Sequence, residues 1–191
     1  MLEVRIHGRG GQGSVVASQI LADAAFREGM HVQAFPSFGS ERRGAPVAAF
    51  VRLDDDPVLV RTQIYHPDGL IVLDQNLILQ KLVDVTAGLK EGAWILVNSS
   101  RDPSAFADLG PYTVATVDAS GVAVKHRLGS ATSPIVNTAI LGAMAALTGV
   151  ISLDGLEEAI RASVPVKPDE NVAAAREAAK AVRVLEQAVG G

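Results

Sequence analysis

The chain has no cysteine among its 191 residues. It therefore forms no disulfide and holds no iron–sulfur cluster of the usual thiolate-ligated kind. Histidine is sparse too: His7, His31, His66 and His126 are scattered, and none has a histidine or acid four residues on, as a helical metal site needs. Intrinsic metal or redox chemistry is not expected. No basic surplus exists; the net charge of −4 and pI near 5.5 argue against nucleic-acid binding, which needs a basic face. No long apolar run exists either. The most membrane-like stretch, residues 135–151, is short for a span and is interrupted by Asn137, Thr138, Gly142, Thr148 and Gly149. It reads as a buried helix. Glu3 and Arg5 break the amino terminus before any leader-like run, so a cytoplasmic protein without a signal peptide is expected. Catalytic motifs are missing as well. There is no G-x-S-x-G elbow and no paired-carboxylate arrangement, and GRGGQG lacks the Lys-Ser/Thr of a P-loop.

What is present is enough for a core: 48% of residues are hydrophobic, which excludes global disorder. The length fits one α/β-sized domain over residues 1–191, with a helical carboxyl-terminal part from about residue 133. Its organising stretch is the start, MLEVRIHGRGGQG. Leu2, Val4 and Ile6 alternate with polar neighbours and predict a strand, which leads into Gly8, Arg9, Gly10, Gly11, Gln12 and Gly13. A helical stripe of Val16, Ile20 and Ala24 follows at once. In that context glycines let backbone amides approach a phosphate at the helix N-terminus. The same glycines also suit a tight turn with close strand–helix packing. A dinucleotide site would carry an acid at the end of the second strand. That strand is HVQAF, no acid ends it, and NAD is disfavoured.

A shaped loop follows, holding Ser37, Glu41, Arg42 and Arg43 between Pro36 and Pro46. The arginines suit a phosphate or carboxylate clamp, or an ion-paired docking surface, or a solvated turn. PVAAFVRL then returns as a strand and residues 58–64 as an extended segment. GLIVL and AWILVN read as central strands covered on both faces, with a helix over residues 76–89 between them. A further strand covers residues 112–117 and a short helix residues 118–128. Ser133-Pro134 predicts the start of the buried helix, with proline at its first position. A short amphipathic helix follows, and PDEN opens the last one, whose stripe is Val172, Ala175, Ala179, Val182 and Leu185. The fold class is α/β, with a doubly wound, mostly parallel, Rossmann-like sheet and carboxyl-terminal helices. Ligands of such sheets sit at the strands' carboxyl ends, where the glycine loop, the 37–44 loop and Ser99-Ser100 would converge.

Several separated blocks resemble a known family along nearly the whole chain: GRGGQG (8–13), QAFPSFGSERRGAP (33–46), RTQIYHPD (61–68), SPIVNTAILG (133–142) and PDENVAAA (168–175). They resemble the gamma subunit of 2-oxoacid:acceptor oxidoreductases, and ERRGAPV is closest to the pyruvate or 2-ketoisovalerate:ferredoxin branch. The resemblance implies an enzyme that oxidatively decarboxylates a 2-oxoacid with coenzyme A, giving acyl-CoA, carbon dioxide and reduced ferredoxin. It implies alpha, beta and delta partner subunits, which carry thiamine diphosphate, magnesium and iron–sulfur clusters, while the gamma chain carries none. Absent cysteine and an absent catalytic constellation agree with one part of an enzyme.

Three roles stay open for the chain itself. In the first, Gly8–Gly13 and Arg42 or Arg43 help form a coenzyme A entrance. In the second, the same loops, with Ser37, Glu41 and the helices after residue 135, are purely architectural. In the third, the chain is a free-standing nucleotide-binding oxidoreductase. Asn137, in a buried helix, needs a hydrogen-bonding partner and either caps a loop or touches a ligand.

Overall fold

The computed structural model describes residues 1–37 and 44–185. Alternation at the amino terminus gives β1 (Leu2–Arg9), with Val4 and Ile6 fully buried on one face. It runs through the glycine loop into α1 (Ser14–Arg27), whose alanine-rich inner side packs on that face. Next come β2 (His31–Pro36) and β3 (Pro46–Asp54), which pair antiparallel from His31 opposite Asp54 to Pro36 opposite Ala49. The connection between them is too short for a crossover, so the pair can only be antiparallel. β3 also pairs antiparallel with β1, Leu2 facing Leu53 and Arg9 facing Pro46.

On the other side of β1 the sheet is parallel. β4 (Gly69–Val72), β5 (Trp94–Asn98) and β6 (Thr113–Val117) add in turn, and β9 (Arg183–Val184) closes the far edge antiparallel to β6. The order is β2-β3-β1-β4-β5-β6-β9. Strands β1, β2, β4, β5 and β6 share one direction, and only β3 and β9 oppose it. The expected mostly parallel α/β sheet is observed.

Both faces are covered, but unequally. One carries α1, α3 (Ala119–Lys125), α4 (Asn137–Thr148), α5 (Leu153–Ser163) and α6 (Pro168–Ala181). The other carries a one-turn helix α2 (Asn76–Leu79), a 3₁₀ segment (Pro103–Leu109) and irregular chain, with Leu77, Val85 and Phe106 buried beneath them. α4 lies at the centre of the helical layer, and every residue from Asn137 to Ala145 is buried. It meets α6 at very short range: a Cβ on Gly142 would stand 2.0 Å from the Ala175 carbonyl oxygen. A short hairpin, β7 (Gly129–Ser130) with β8 (Ser133–Pro134), precedes it.

Four expectations are corrected. The helix over residues 76–89 stops after one turn. Lys81 is left-handed at φ 51°, Asp84 takes the backbone N–H and hydroxyl of Thr86, and Arg5 claims the carbonyls of Val85 and Ala87. Local side-chain bonds and a tertiary donor thus replace the helical ladder. Ser133-Pro134 does not open the buried helix; it is β8, and α4 starts at Asn137. Residues 58–64 join no strand ladder. The last helix ends at Ala181, its buried side is Asn171, Val172, Ala174, Ala175 and Ala178, and Leu185 packs on the opposite face of the sheet.

Candidate functional site

The glycine loop closes on itself before it reaches anything else. Gln12 donates its backbone N–H to the Arg9 carbonyl at 2.9 Å, and its side-chain Oε1 accepts from the Arg9 backbone N–H at 2.7 Å. The Arg9 guanidinium donates from Nε to Asp74 Oδ2 at 2.7 Å and from Nη1 to the Gly44 carbonyl at 3.3 Å. Gly11 at φ 93° and Gly13 at φ 82° occupy left-handed backbone, which is why glycine stands at both places. Gly13 is the N-cap of α1, so no side chain caps the helix's first turn. Gly8 lies in β1 against Leu73, where a Cβ would stand 3.2 Å from Leu73 Cδ1.

The loop after β2 leaves and returns at the same end of the sheet. Ser37 donates to the Ala48 carbonyl at 2.8 Å, Gly10 donates to Ala45 at 2.9 Å, and Gly44 donates to Gly10 at 3.2 Å. The returning end of that loop, at Gly44 and Ala45, therefore lies beside the glycine loop, while Ser37 lies across β3 from it. Glu41, Arg42 and Arg43 lie outside the described residues.

At the carboxyl ends of β4 and β5 a cleft of about 300 Å³ opens beside Gly11 and Gln12. Its polar walls include Asp74, Gln75, Asn98, Ser120 and Thr132. Separate hydrogen bonds hold most of these groups in place. Asn98 donates to the Leu73 carbonyl and Ser120 Oγ, both at 2.9 Å, and accepts from Ser120 N–H at 3.2 Å. Ser99 Oγ donates to Gln75 Oε1 at 2.6 Å. Such walls offer amides and hydroxyls; the neighbouring Arg9 is already ion-paired with Asp74. Of the expected Ser99-Ser100 pair, Ser99 reaches this cleft through Gln75, while Ser100 lines a separate depression near Asp118 and Arg183. Sequence reasoning missed Asp74, Gln75, Asn98 and Ser120. The available signal was position: Asp74 and Gln75 follow β4 and Asn98 ends β5, and polar residues at parallel strand ends face the ligand crevice.

Asn137 is brought to the glycine loop. Its Oδ1 accepts from the Thr138 backbone N–H at 2.9 Å, and its Nδ2 faces Gly13, where a Cβ would stand 3.0 Å away. Thr138 in turn donates its hydroxyl to Asn171 Oδ1 at 2.7 Å. His7 is not in the site. It is buried beside Arg5 and Asp84, and burial, reinforced by the Arg5 charge and partly opposed by Asp84, pushes its imidazole down to about 3. Among the described residues no group of three or more histidines, cysteines or acids could hold a metal ion. No helix among them is long and apolar enough to cross a membrane.

Comparison with known proteins decides the family. Residues 3–181 fit the model of the family described as pyruvate ferredoxin/flavodoxin oxidoreductase. The chain belongs to that family. It is 49% identical over 190 residues to the pyruvate/ketoisovalerate oxidoreductases common subunit gamma of Thermococcus kodakarensis, covering 97% of this chain and all of that one. It is 48% identical over 186 residues to pyruvate synthase subunit PorC of Methanothermobacter thermautotrophicus, covering 97% and 98%. The crystal structure of pyruvate oxidoreductase subunit PORC from Thermotoga maritima superposes with a TM-score of 0.82 at 33% identity, covering 97% and 98%. The chain is thus a gamma subunit of this oxidoreductase family. The family-like blocks also meet one another in space. GRGGQG touches SPIVNTAILG at Gly13 and Asn137, and SPIVNTAILG touches PDENVAAA at Thr138–Asn171 and Gly142–Ala175. QAFPSFGSERRGAP approaches RTQIYHPD at Ser37 and Gln63, 3.5 Å apart.

Proposed function

We propose that this gamma subunit works with alpha, beta and delta partners in a pyruvate or 2-ketoisovalerate:ferredoxin oxidoreductase, and that its glycine-loop cleft forms part of the coenzyme A entrance. The reaction joins the acyl group left by decarboxylation to the coenzyme A thiol and passes two electrons to ferredoxin. Thiamine diphosphate, magnesium and iron–sulfur clusters belong to the partners in this reading, since a chain without cysteine lacks thiolates for a cluster. The relatives' names supply the substrate class, and the cytoplasm is the compartment expected.

One observation carries the coenzyme A role: the cleft of about 300 Å³ at the strand ends, walled by amides, hydroxyls and the Arg9-paired carboxylate of Asp74 and opening beside the glycine loop. Neutral donors and acceptors of that kind recognise a ribose, a base edge or the amides of a pantetheine arm. Diphosphate charge then falls to the helix N-terminus and to Arg42 or Arg43, whose chain rejoins the sheet at Gly44 against Gly10. In the assembled complex, Arg42→Ala is expected to raise the KM for coenzyme A severalfold with kcat and subunit composition unchanged.

The Arg9–Asp74 pair favours a second, architectural reading, because it leaves the glycine loop without a free cation. There Arg42→Ala lowers the yield of intact complex and leaves coenzyme A kinetics alone. NAD(P)-dependent turnover by the isolated chain would instead support a free-standing oxidoreductase.

A further inference from the structure

Across the β7–β8 hairpin from the polar cleft lies a second depression of about 280 Å³, with different chemistry. Val16, Ile135, Val164 and Val166 form its walls. Three of these are unusually open for apolar residues: Val16 is 44% exposed, Ile135 48% and Val166 67%. Asn137 lies at its inner end, 7% exposed. The Asn137 Oδ1 is satisfied by Thr138, but its Nδ2 has no acceptor among the described residues and is not sealed from solvent. An amide donor open to solvent at the end of an apolar depression can exchange its water for a partner's carbonyl.

The rim is cationic in a chain of net negative charge. Arg127 and Lys167 both line the depression, and both adopt left-handed backbone, at φ 56° and φ 53°. Lys167 Nζ donates to the Arg127 carbonyl at 2.6 Å, which fixes one against the other. The Arg127 guanidinium has no partner among the described residues. Non-glycine residues rarely adopt this region and persist there where surrounding structure imposes it.

We propose that this depression docks a partner subunit of the complex. Its occupant is an extended segment bearing one branched apolar or aromatic side chain beside a carboxylate. The side chain fills the valine–isoleucine walls, a backbone carbonyl accepts from Asn137 Nδ2, and the carboxylate pairs with Arg127. The volume of about 280 Å³ accommodates one large anchoring side chain. This inference rests on the subunit reading above. It also places a partner directly behind Gly13, so docking supports the glycine loop from the side opposite the polar cleft.

The absence of cysteine makes a clean test possible. Val166→Cys introduces the only thiol of this chain, and its reaction with N-ethylmaleimide is read from the chain's own mass. The rate is compared in the isolated chain and in complex purified through a tag on this chain. At least tenfold slower modification in the complex is expected. Arg127→Glu should weaken retention of the partner subunits at least tenfold while the isolated chain keeps its melting temperature. Arg127→Asn, which tolerates left-handed backbone, removes the charge should the reversal fail to fold. Equal modification rates, or assembly unchanged by loss of the charge, would overturn the proposal. Concentration-dependent protection of the isolated chain would assign the depression to a second copy, and protection by coenzyme A alone would assign it to a small ligand; either result overturns it. If tagged wild-type chain recovers no partner, the subunit reading itself falls, and this inference with it.

Discussion

Among the described residues, Arg5 Nε and His7 Nε2 are the buried side-chain polar atoms without a hydrogen-bond partner. They sit side by side on the β1 face that points away from α1. Arg5 answers two carbonyls through Nη2, at 2.7 Å to Val85 and 2.9 Å to Ala87, and burial lowers its pKa with only a partial offset from Asp84. A protonated His7 would place a second cation beside it in a desolvated site, so the folded protein holds the imidazole neutral. The unfolded chain protonates near 6.5 and the folded chain only near about 3. Between those values the unfolded state carries the extra proton, and stability falls as pH falls. From pH 6.5 to pH 5 the loss from this residue should be about 2 kcal/mol. Urea unfolding at pH 7 and pH 5 checks it: His7→Leu should lose about 2 kcal/mol less than the parent over that step, and equal losses would remove the argument. Alternation puts Glu3, Arg5 and His7 on one face, but a pattern of charged residues looks solvated until the segment after α2 is known to cover it. Asn137 is the converse case. Its need for partners followed from a buried helix, whereas its meeting with Gly13, over 100 residues away, required the fold.

Elements formed where local and tertiary demands agreed. The strands β1, β4, β5 and β6 appear at their expected places because continuous or alternating apolar runs suit a covered sheet. β3 was legible as a strand but its direction was not, since PVAAFVRL reads alike in either sense; the short connection from β2 was the usable signal. The helix over residues 76–89 stops at Leu79, before left-handed Lys81, and Arg5, 80 residues before Val85, then claims carbonyls of the segment beyond. α4 and α6 show the opposite situation, in which small residues become decisive. Gly142 in SPIVNTAILG and Ala175 in PDENVAAA permit backbone contact between the two helices, and Thr138–Asn171 pins them at one end. A single added methyl at Gly142 meets the Ala175 carbonyl at 2.0 Å, so the helices must separate. Gly142→Ala would gain helix propensity on an exposed surface; here overpacking should outweigh that and destabilise the chain by about 1–3 kcal/mol. Thermal unfolding measures the difference, and a variant as stable as the parent would show that α4 and α6 have slack.

At the scale of the whole molecule the sheet divides the chain into a thick and a thin half. Behind one face lie five helices and the larger core. Over the other lie one helical turn, a 3₁₀ segment and loops, with Leu79 and Leu82 well exposed and a depression of about 550 Å³ between Ile78, Val83 and Phe106. The polar cleft, Asp74 and Gln75 all lie where β4 passes into this thin half. Fewer buried contacts and more open backbone bonds mean lower local opening free energies. Amide exchange in the isolated chain should therefore be fastest in residues 76–92, intermediate in the 3₁₀ segment and slowest in β4, β5 and α4. The order tests the asymmetry itself, since equal protection of residues 76–92 and α4 would mean that the thin half unfolds only with the whole. If the order holds, the glycine loop is joined through Asp74 to the part of the molecule that opens most easily. Its grip on Arg9 then depends on a segment whose carbonyls Arg5 holds, so the two arginines of β1 connect the sheet to that half at opposite ends.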